Sequence, residues 1–363
     1  MLRIGVIGVG GWTETCHIPG LQAHPRARVV ALCGRSAERR QAQAARFQIP
    51  ETYGDYRELI ERAGIDAVTI STPNSSHFGI ACAALRAGKH VFCEKPLALH
   101  AAQSEELLAL AAALGRVHQV AFTFRFLHAA GEARRLIGEG AIGPLRRILA
   151  VTEGAGALRP GAQARWRNDA ALSGYGLLGD MGSHLVDLAR FVTGGEFRAV
   201  RGAAWRIGRS PRPSGDDAAT LVPVTADDEA EALLEFAAPG GPATVTLRLS
   251  SLTPPPHRNY LEFVGEQGYL RLPYSRGETD TLAMGRDGAA PNTLPLPPGA
   301  APAPNHCLFR MMAAFVDACL AGGSVAPAAT FADGHAAQQV LDAVAAAAGS
   351  GQRCPIQAGA GPQ

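Results

Sequence analysis

The chain is almost without lysine. Of its 34 basic residues only Lys89 and Lys95 are lysines, both in one short stretch, and the rest are arginine. An ammonium is a compact charge whose pKa its surroundings can move, whereas a guanidinium stays charged. Lys95 is therefore a candidate for chemistry, although chance survival would give the same count. The chain also lacks an excess of either charge, since 34 basic and 32 acidic side chains leave a formal net charge of +2. That excludes the basic footprint of a nucleic-acid or anionic-membrane binder. No uncharged apolar run is long enough for a bilayer span, so no membrane partner is expected. The seven cysteines stand singly, with no CxxC and no metal-ligand spacing. This is the pattern of a reducing, cytoplasmic setting, and no metal is expected. No fixed-period repeat occurs, and the first apolar strand starts at once, which reads as no secretory leader.

What is present is a chain of 363 residues with 47% hydrophobic content, enough for a real core and long enough for two domains. Its first third alternates strand and helix. Strands are expected at 3–7, 28–33, 66–70, 90–93 and 117–122, with helices at 37–47, 76–87 and 101–114 between them. That alternation predicts right-handed βαβ units and a parallel, doubly wound sheet. Ligands of such sheets lie at the carboxyl ends of strands, so the loops after Ile7, Cys33, Ile70 and Cys93 should line one site. After about residue 124 the pattern turns to period-2 strands, with a hairpin at Gly265-Glu266-Gln267-Gly268 and helices at 129–139, 179–192, 308–321 and 334–348. The expected division is a nucleotide-binding domain at 1–123 and a substrate-binding and oligomerisation domain at 124–363. Pro/Gly-rich loops are read at 210–217 and 288–305 and a loosely held tail after Gln352.

The first strand runs into Gly8-Val9-Gly10-Gly11-Trp12-Thr13 and then a helix-like stretch. Strand, glycine turn and helix in that order are what a dinucleotide fingerprint requires. Gly8 permits the turn, Gly10 lets the backbone approach a pyrophosphate, and Thr13 stands at the third glycine position. A tight turn after a buried strand would read the same way. The second strand ends in Cys33-Gly34-Arg35-Ser36, with no carboxylate for a ribose 2′-OH until Glu38. Arg35, with Ser36, suits a 2′-phosphate, which predicts NADP in preference to NAD; a surface arginine on a turn is the plainer reading. Thr72-Pro73-Asn74 and His77 follow the third clear strand, and Glu94-Lys95-Pro96 follows the next, where a carboxylate beside an ammonium can hold it charged. In Gly179-Asp180-Met181-Gly182-Ser183-His184 a helix would put Asp180 and His184 on one face. A histidine with a carboxylate neighbour can accept a proton near neutral pH; a helix cap and a buried histidine would look alike.

Together these stretches resemble the glucose-fructose oxidoreductase/inositol dehydrogenase family (Gfo/Idh/MocA) over nearly the whole chain. The resemblance also takes in Arg125, Trp166-Arg167-Asn168-Asp169 and Phe331-Ala332-Asp333-Gly334, with Thr13 and Tyr175 as departures. It implies a Rossmann domain followed by an α/β domain on a large, mostly antiparallel open sheet. It further implies a nicotinamide cofactor, a sugar, cyclitol or related polyol substrate, and homodimers or homotetramers through that sheet. Carried over by position, Lys95 and His184 are the catalytic pair and Asp180 assists. The glycine turn with Gly11, Trp12 and Thr13, the Thr72–Asn74 turn, His77 and Glu94 hold the cofactor. Arg125, Trp166, Arg167 and Tyr175 contact substrate. Two other readings stay open. One is a regulator that senses dinucleotide without catalysis, against which the presence of both Lys95 and His184 counts. The other is a glycosidase or lyase that uses bound NAD transiently.

Overall fold

The computed structural model describes residues 1–159, 162–207, 211–214, 220–274, 280–286, 291–296, 306–324 and 326–357. The loops read at 210–217 and 288–305 lie in large part outside the described residues. The chain forms two compact units, Met1–Phe126 with Asn305–His335, and Leu127–Pro304 with Ala336–Gln363. A linear cut at 124 separates the helix His306–Ala321 from the unit it packs in. There a Cβ on Gly20 would stand 2.7 Å from Met312.

The first unit is a six-stranded parallel sheet of order β3-β2-β1-β4-β5-β6. Its strands are β1 (Leu2–Ile7), β2 (Ala27–Cys33), β3 (Glu51–Tyr53), β4 (Ala67–Ile70), β5 (His90–Cys93) and β6 (His118–Val120). β4 is buried at every position, as a central strand covered on both faces must be. The helices are α1 (Ile18–Gln22), α2 (Ala37–Phe47), α3 (Tyr56–Arg62), α4 (His77–Arg86) and α5 (Ala101–Leu114). α2 starts where the Ser36 hydroxyl accepts the Arg39 N–H, and ends at Gln48 in the left-handed region, φ 55°. The register aligns Ile7 with Cys33 and Ile70, and Ile70 with Cys93. The four turns that follow therefore leave from one edge of the sheet. Between β1 and β4 the strand order reverses, which opens the crevice where such sheets take ligands. The short strand β3 is not among the expected strands, because three half-buried residues carry too little alternation to register.

The second unit is a nine-stranded sheet of order β16-β15-β14-β13-β7-β12-β11-β8-β17. Its long strands are β7 (Leu145–Glu153), β8 (Glu196–Arg206), β11 (Glu229–Ala238), β12 (Gly241–Ser250), β13 (Arg258–Gly265) and β14 (Tyr269–Pro273). β15 (Leu282–Gly285) and β16 (Asn292–Leu294) form one edge and β17 (Cys354–Pro355) the other, while β9 (Arg212–Pro213) and β10 (Leu221–Val222) pair separately. Every pairing in the large sheet is antiparallel except β12 with β7. In β11 the side chains of Ala230, Ala232, Leu234 and Phe236 are buried while the alternate ones face out. The helices α6 (His128–Gly138), α7 (Ala170–Ser173) and α8 (Ser183–Thr193) belong to this unit. The tail expected to be loose is tied down at first, since Cys354 and Pro355 pair with Val200 and Ala199 of β8.

Candidate active site

In the first unit the site begins at the glycine turn. Gly8 has φ +126°, and a Cβ there would lie 2.5 Å from the Ser71 carbonyl oxygen, so the position admits only glycine. Gly10 and Gly11 are exposed, and nothing lies within 4 Å of where their Cβ atoms would be. Atoms of a bound group can thus come against the backbone there. Thr13, at the third glycine position, is wholly buried and shares a 2.5 Å hydrogen bond with the Ser71 hydroxyl. The departure from glycine is thereby turned into a tie between the turn and the end of β4. Residues Thr13–His17 form a π-helical turn rather than the α-helix expected there. Such turns recur at functional sites.

Glu94 does not act simply as a neighbour of Lys95. Its Oε1 accepts the Trp12 indole N–H at 2.6 Å and lies 3.1 Å from His17 Nε2, which anchors the loop after β5 to the glycine turn. Burial pushes the Glu94 carboxyl up. The His17 hydrogen bond, the Lys95 charge and the Trp12 bond outweigh it and hold the group below the usual carboxylate value. Lys95 itself is 9% exposed. Lys89, the other lysine, spends its ammonium on the Ile65 carbonyl at 2.8 Å.

His77 is fully buried, with Nδ1 2.9 Å from the Pro96 carbonyl and Nε2 3.0 Å from the Thr72 carbonyl. Burial lowers its pKa, and a neutral ring donates to one of these carbonyls at a time. Its nitrogens bind the Thr72-Pro73-Asn74 turn to the Lys95-Pro96 turn. Asn74 is buried, and the Ser76 hydroxyl donates to the Pro73 carbonyl at 2.7 Å. Arg35 and Ser36 stand exposed at the end of β2, where Gly34 packs on Val9. A 310 Å³ hollow beside the turn is lined by Val9, Gly11, Arg39 and Gln43. A turn fixed by Gly8, open at Gly10 and Gly11 and followed by helical N–H groups fits a dinucleotide pyrophosphate. Arg125 is 7% exposed and pairs with Asp333 at 2.8 Å, inside this unit.

In the second unit Asp180 lies on a π-helical turn, Leu178–Gly182, which runs into α8. The expected continuous helix over 179–192 is thus widened at its start. Asp227 builds this turn. Its carboxylate accepts the Gly176 N–H at 2.6 Å and the Leu178 N–H at 2.7 Å. A Cβ on Gly176 would fall 2.1 Å from the Asp227 carbonyl oxygen. Burial raises the Asp227 carboxyl against these two bonds. His184 is 4% exposed on α8 and Asp187 is 1% exposed.

A pocket of about 560 Å³ opens beside the turn, and it brings Asp180 together with Arg167, whose Nε lies 3.6 Å from Oδ1. The Arg167 guanidinium lies over the Trp166 ring at 4.3 Å. Tyr175 does not line this pocket. Its hydroxyl donates to Asp342 at 3.0 Å, and burial and that carboxylate push its pKa up. The pocket also holds Arg212, Asn168, Asp227 and Asp228, none of which sequence reasoning singled out as a site residue. Asn168 was visible only inside the Trp-Arg-Asn-Asp run. Arg212 sits between two prolines in a stretch that reads as loop, and Asp227-Asp228 reads as an acidic turn before a strand.

The sequence matches the oxidoreductase family GFO/IDH/MocA, NAD-binding Rossmann fold, over residues 2–122, and the GFO/IDH/MocA C-terminal domain over residues 130–271. A levoglucosan dehydrogenase of Pseudarthrobacter phenanthrenivorans is 30% identical, over 94% of this chain and 95% of that protein. Among solved structures, an oxidoreductase domain protein from Kribbella flavida has a TM-score of 0.87 at 31% identity, over 98% of this chain and 99% of its own. A levoglucosan dehydrogenase complexed with NADH and levoglucosan has a TM-score of 0.86 at 27% identity, over 98% of this chain and 100% of its own. The glycine turn, the reversal of strand order and matches over both halves agree: the chain belongs to the GFO/IDH/MocA family and is an oxidoreductase built on an NAD-binding Rossmann domain.

Proposed function

We propose that this oxidoreductase interconverts a secondary alcohol and a ketone on a sugar, cyclitol or related polyol, with NADP in preference to NAD. The observation that carries the reading is the character of two side chains. Lys95 is buried in the turn after β5, where the loop carries Glu94 beside it, and His184 is buried on α8. Relatives whose names are those of sugar dehydrogenases, and a levoglucosan complex, support a sugar-sized substrate.

When bound, the nicotinamide supplies the acceptor or donor of hydride. The glycine turn, Ser36, the Thr72–Asn74 turn and Glu94 hold and orient it. His184 takes the hydroxyl proton as the carbon is oxidised and returns it in the reverse direction. The Lys95 ammonium stabilises the negative charge that develops on the substrate oxygen, a contribution that grows where water is excluded. Asp180, held at the edge of its pocket beside Arg167, orients a neighbouring hydroxyl. Replacing His184 with Asn should lower kcat by about 10²–10⁴-fold. Unchanged turnover in a folded His184→Asn protein would overturn the assignment.

The cofactor preference rests on Arg35, exposed at the end of β2 without a carboxylate beside it in sequence. A charge-assisted contact to the 2′-phosphate should make Arg35→Ala bind NADPH about 10–100-fold more weakly while NADH binding changes little. Fluorescence transfer from the tryptophans reads both constants. Catalytic efficiency with NAD equal to or above that with NADP defeats the preference.

A further inference from the structure

Trp12 does more than stand in the glycine turn. Its indole N–H donates to Glu94 Oε1 at 2.6 Å, in the turn after β5. In the sheet β4 lies between β1 and β5. The ring therefore bridges from the glycine turn, past the carboxyl end of β4, towards the turn that carries Lys95. Both ends of this bridge are fixed. Thr13, the next residue, shares a 2.5 Å hydrogen bond with Ser71 at the end of β4. Glu94 Oε1 also lies 3.1 Å from Nε2 of His17, which is wholly buried with its ring edge-on to Phe92 at 5.6 Å. An indole is large and rigid, and once its N–H is anchored it cannot turn. Trp12 itself is only half-buried, so part of this fixed plate stays open at the crevice.

The strand order decides which half of a dinucleotide meets the plate. Arg35 and Ser36 follow β2 on one side of β1, and Glu94 and Lys95 follow β5 on the other. A dinucleotide with its pyrophosphate at Gly10 and Gly11 and its adenosine half towards Arg35 carries its nicotinamide half towards Trp12. We propose that the nicotinamide ring stacks on the Trp12 indole, and that the indole favours the oxidised ring over the reduced one. The face of an indole is electron-rich. The oxidised nicotinamide is a flat cation, so it gains a cation–π attraction in addition to stacking. The reduced ring is uncharged and gains the stacking alone. A hydrogen bond that only braced the two turns would act equally on both redox forms. The inference rests on the nicotinamide binding in the reading above, and adds the side chain that sets the balance between its two forms.

The test is cofactor binding to the full chain without substrate. NADP+ or NAD+ should raise a long-wavelength charge-transfer absorbance, the mark of an indole stacked on a pyridinium ring. It should vanish in Trp12→Leu, although Trp166 and Trp205 remain. Calorimetric titration with the oxidised and reduced forms then gives the ratio of their affinities. Trp12→Leu should shift that ratio about 3–30-fold towards the reduced form. Trp12→Phe loses the same bond to Glu94 but keeps an aromatic face, so it should hold most of the parent ratio. 2′-Phospho-ADP-ribose, which has no nicotinamide, should bind the parent and both variants alike. Phe and Leu variants with the same ratio would overturn the inference. So would bound oxidised cofactor without the absorbance in the parent, or 2′-phospho-ADP-ribose weakened as much as NADP+. The parent spectrum decides the matter if Trp12→Leu does not fold. Binding and turnover are read separately, so the two readings fail separately. The absorbance with no oxidation of any polyol removes the reaction and leaves this inference, whereas turnover without the absorbance does the reverse.

Discussion

Gly8 and Gly10 are small for different reasons, and the difference can be measured. Gly8 is enclosed and left-handed, so Gly8→Ala forces the Ser71 carbonyl aside and should lower the melting temperature as well as cofactor binding. Gly10→Ala meets no protein atom, so it should leave the melt within about 1 kcal/mol of the parent while weakening NADPH binding by tenfold or more. Equal damage to stability in both variants would contradict this division. Glu94 gives a pH signature. Its carboxyl titrates below the usual value in the folded chain, so its stabilisation is present above the unfolded value of 4.5 and is lost as pH falls through the lower folded one. Glu94→Gln should therefore cost about 1–3 kcal/mol at neutral pH, and the difference from the parent should close as the solution is acidified below the carboxylate range. A gap that persists in acid would mean that the carboxylate charge is not what ties Trp12 to His17. At this scale the sequence was informative where the backbone forces one residue type, as at Gly8. It could not say that Glu94 turns towards Trp12, because that contact joins positions 82 residues apart.

At the scale of the element, two turns that carry proposed site residues, Thr13 and Asp180, are π-helical, Thr13–His17 and Leu178–Gly182. Helical spacing alone does not reveal an extra residue in one turn, which is why both stretches read as plain helix. The second turn depends on one carboxylate. Asp227→Ala leaves two buried N–H groups without acceptors and should cost about 2–5 kcal/mol, with kcat falling through displacement of Asp180. A thermal melt and steady-state kinetics on the same sample check both; a stable, fully active variant would show that the turn holds without it. The strands of the first sheet other than β3 were legible because each is a largely buried apolar run between turn residues. Arg212 and Asp228 were not, because they enter the pocket from segments with no periodicity, and nothing local marks a loop arginine as buried.

At the scale of the whole molecule, the outer face of the nine-stranded sheet mixes ion pairs with exposed apolar residues. Glu235 is gripped by Arg353 at 2.8 Å and Arg201 at 3.0 Å, which hold its carboxyl down to about 2. On the same face of β11 as Glu235, Leu233 is 42% exposed. A homodimer or homotetramer joined through this face is the proposed assembly, with Leu233 as the exposed apolar side chain it would cover. Sedimentation velocity should show the oligomer, and Leu233→Asp should shift it to monomer; a monomeric parent rules this assembly out. No helix among the described residues is long and apolar enough to cross a membrane, and all seven cysteines are free.

The proposed reaction has one direct readout, the stoichiometry of reduced nicotinamide against oxidised polyol during turnover with NADP or NAD. Net hydride transfer predicts one equivalent of reduced cofactor for each ketone formed, lost together with ketone formation in His184→Asn. Product formed without net reduction of the cofactor, or cofactor bound with no turnover on any sugar, sugar acid or cyclitol, would contradict it.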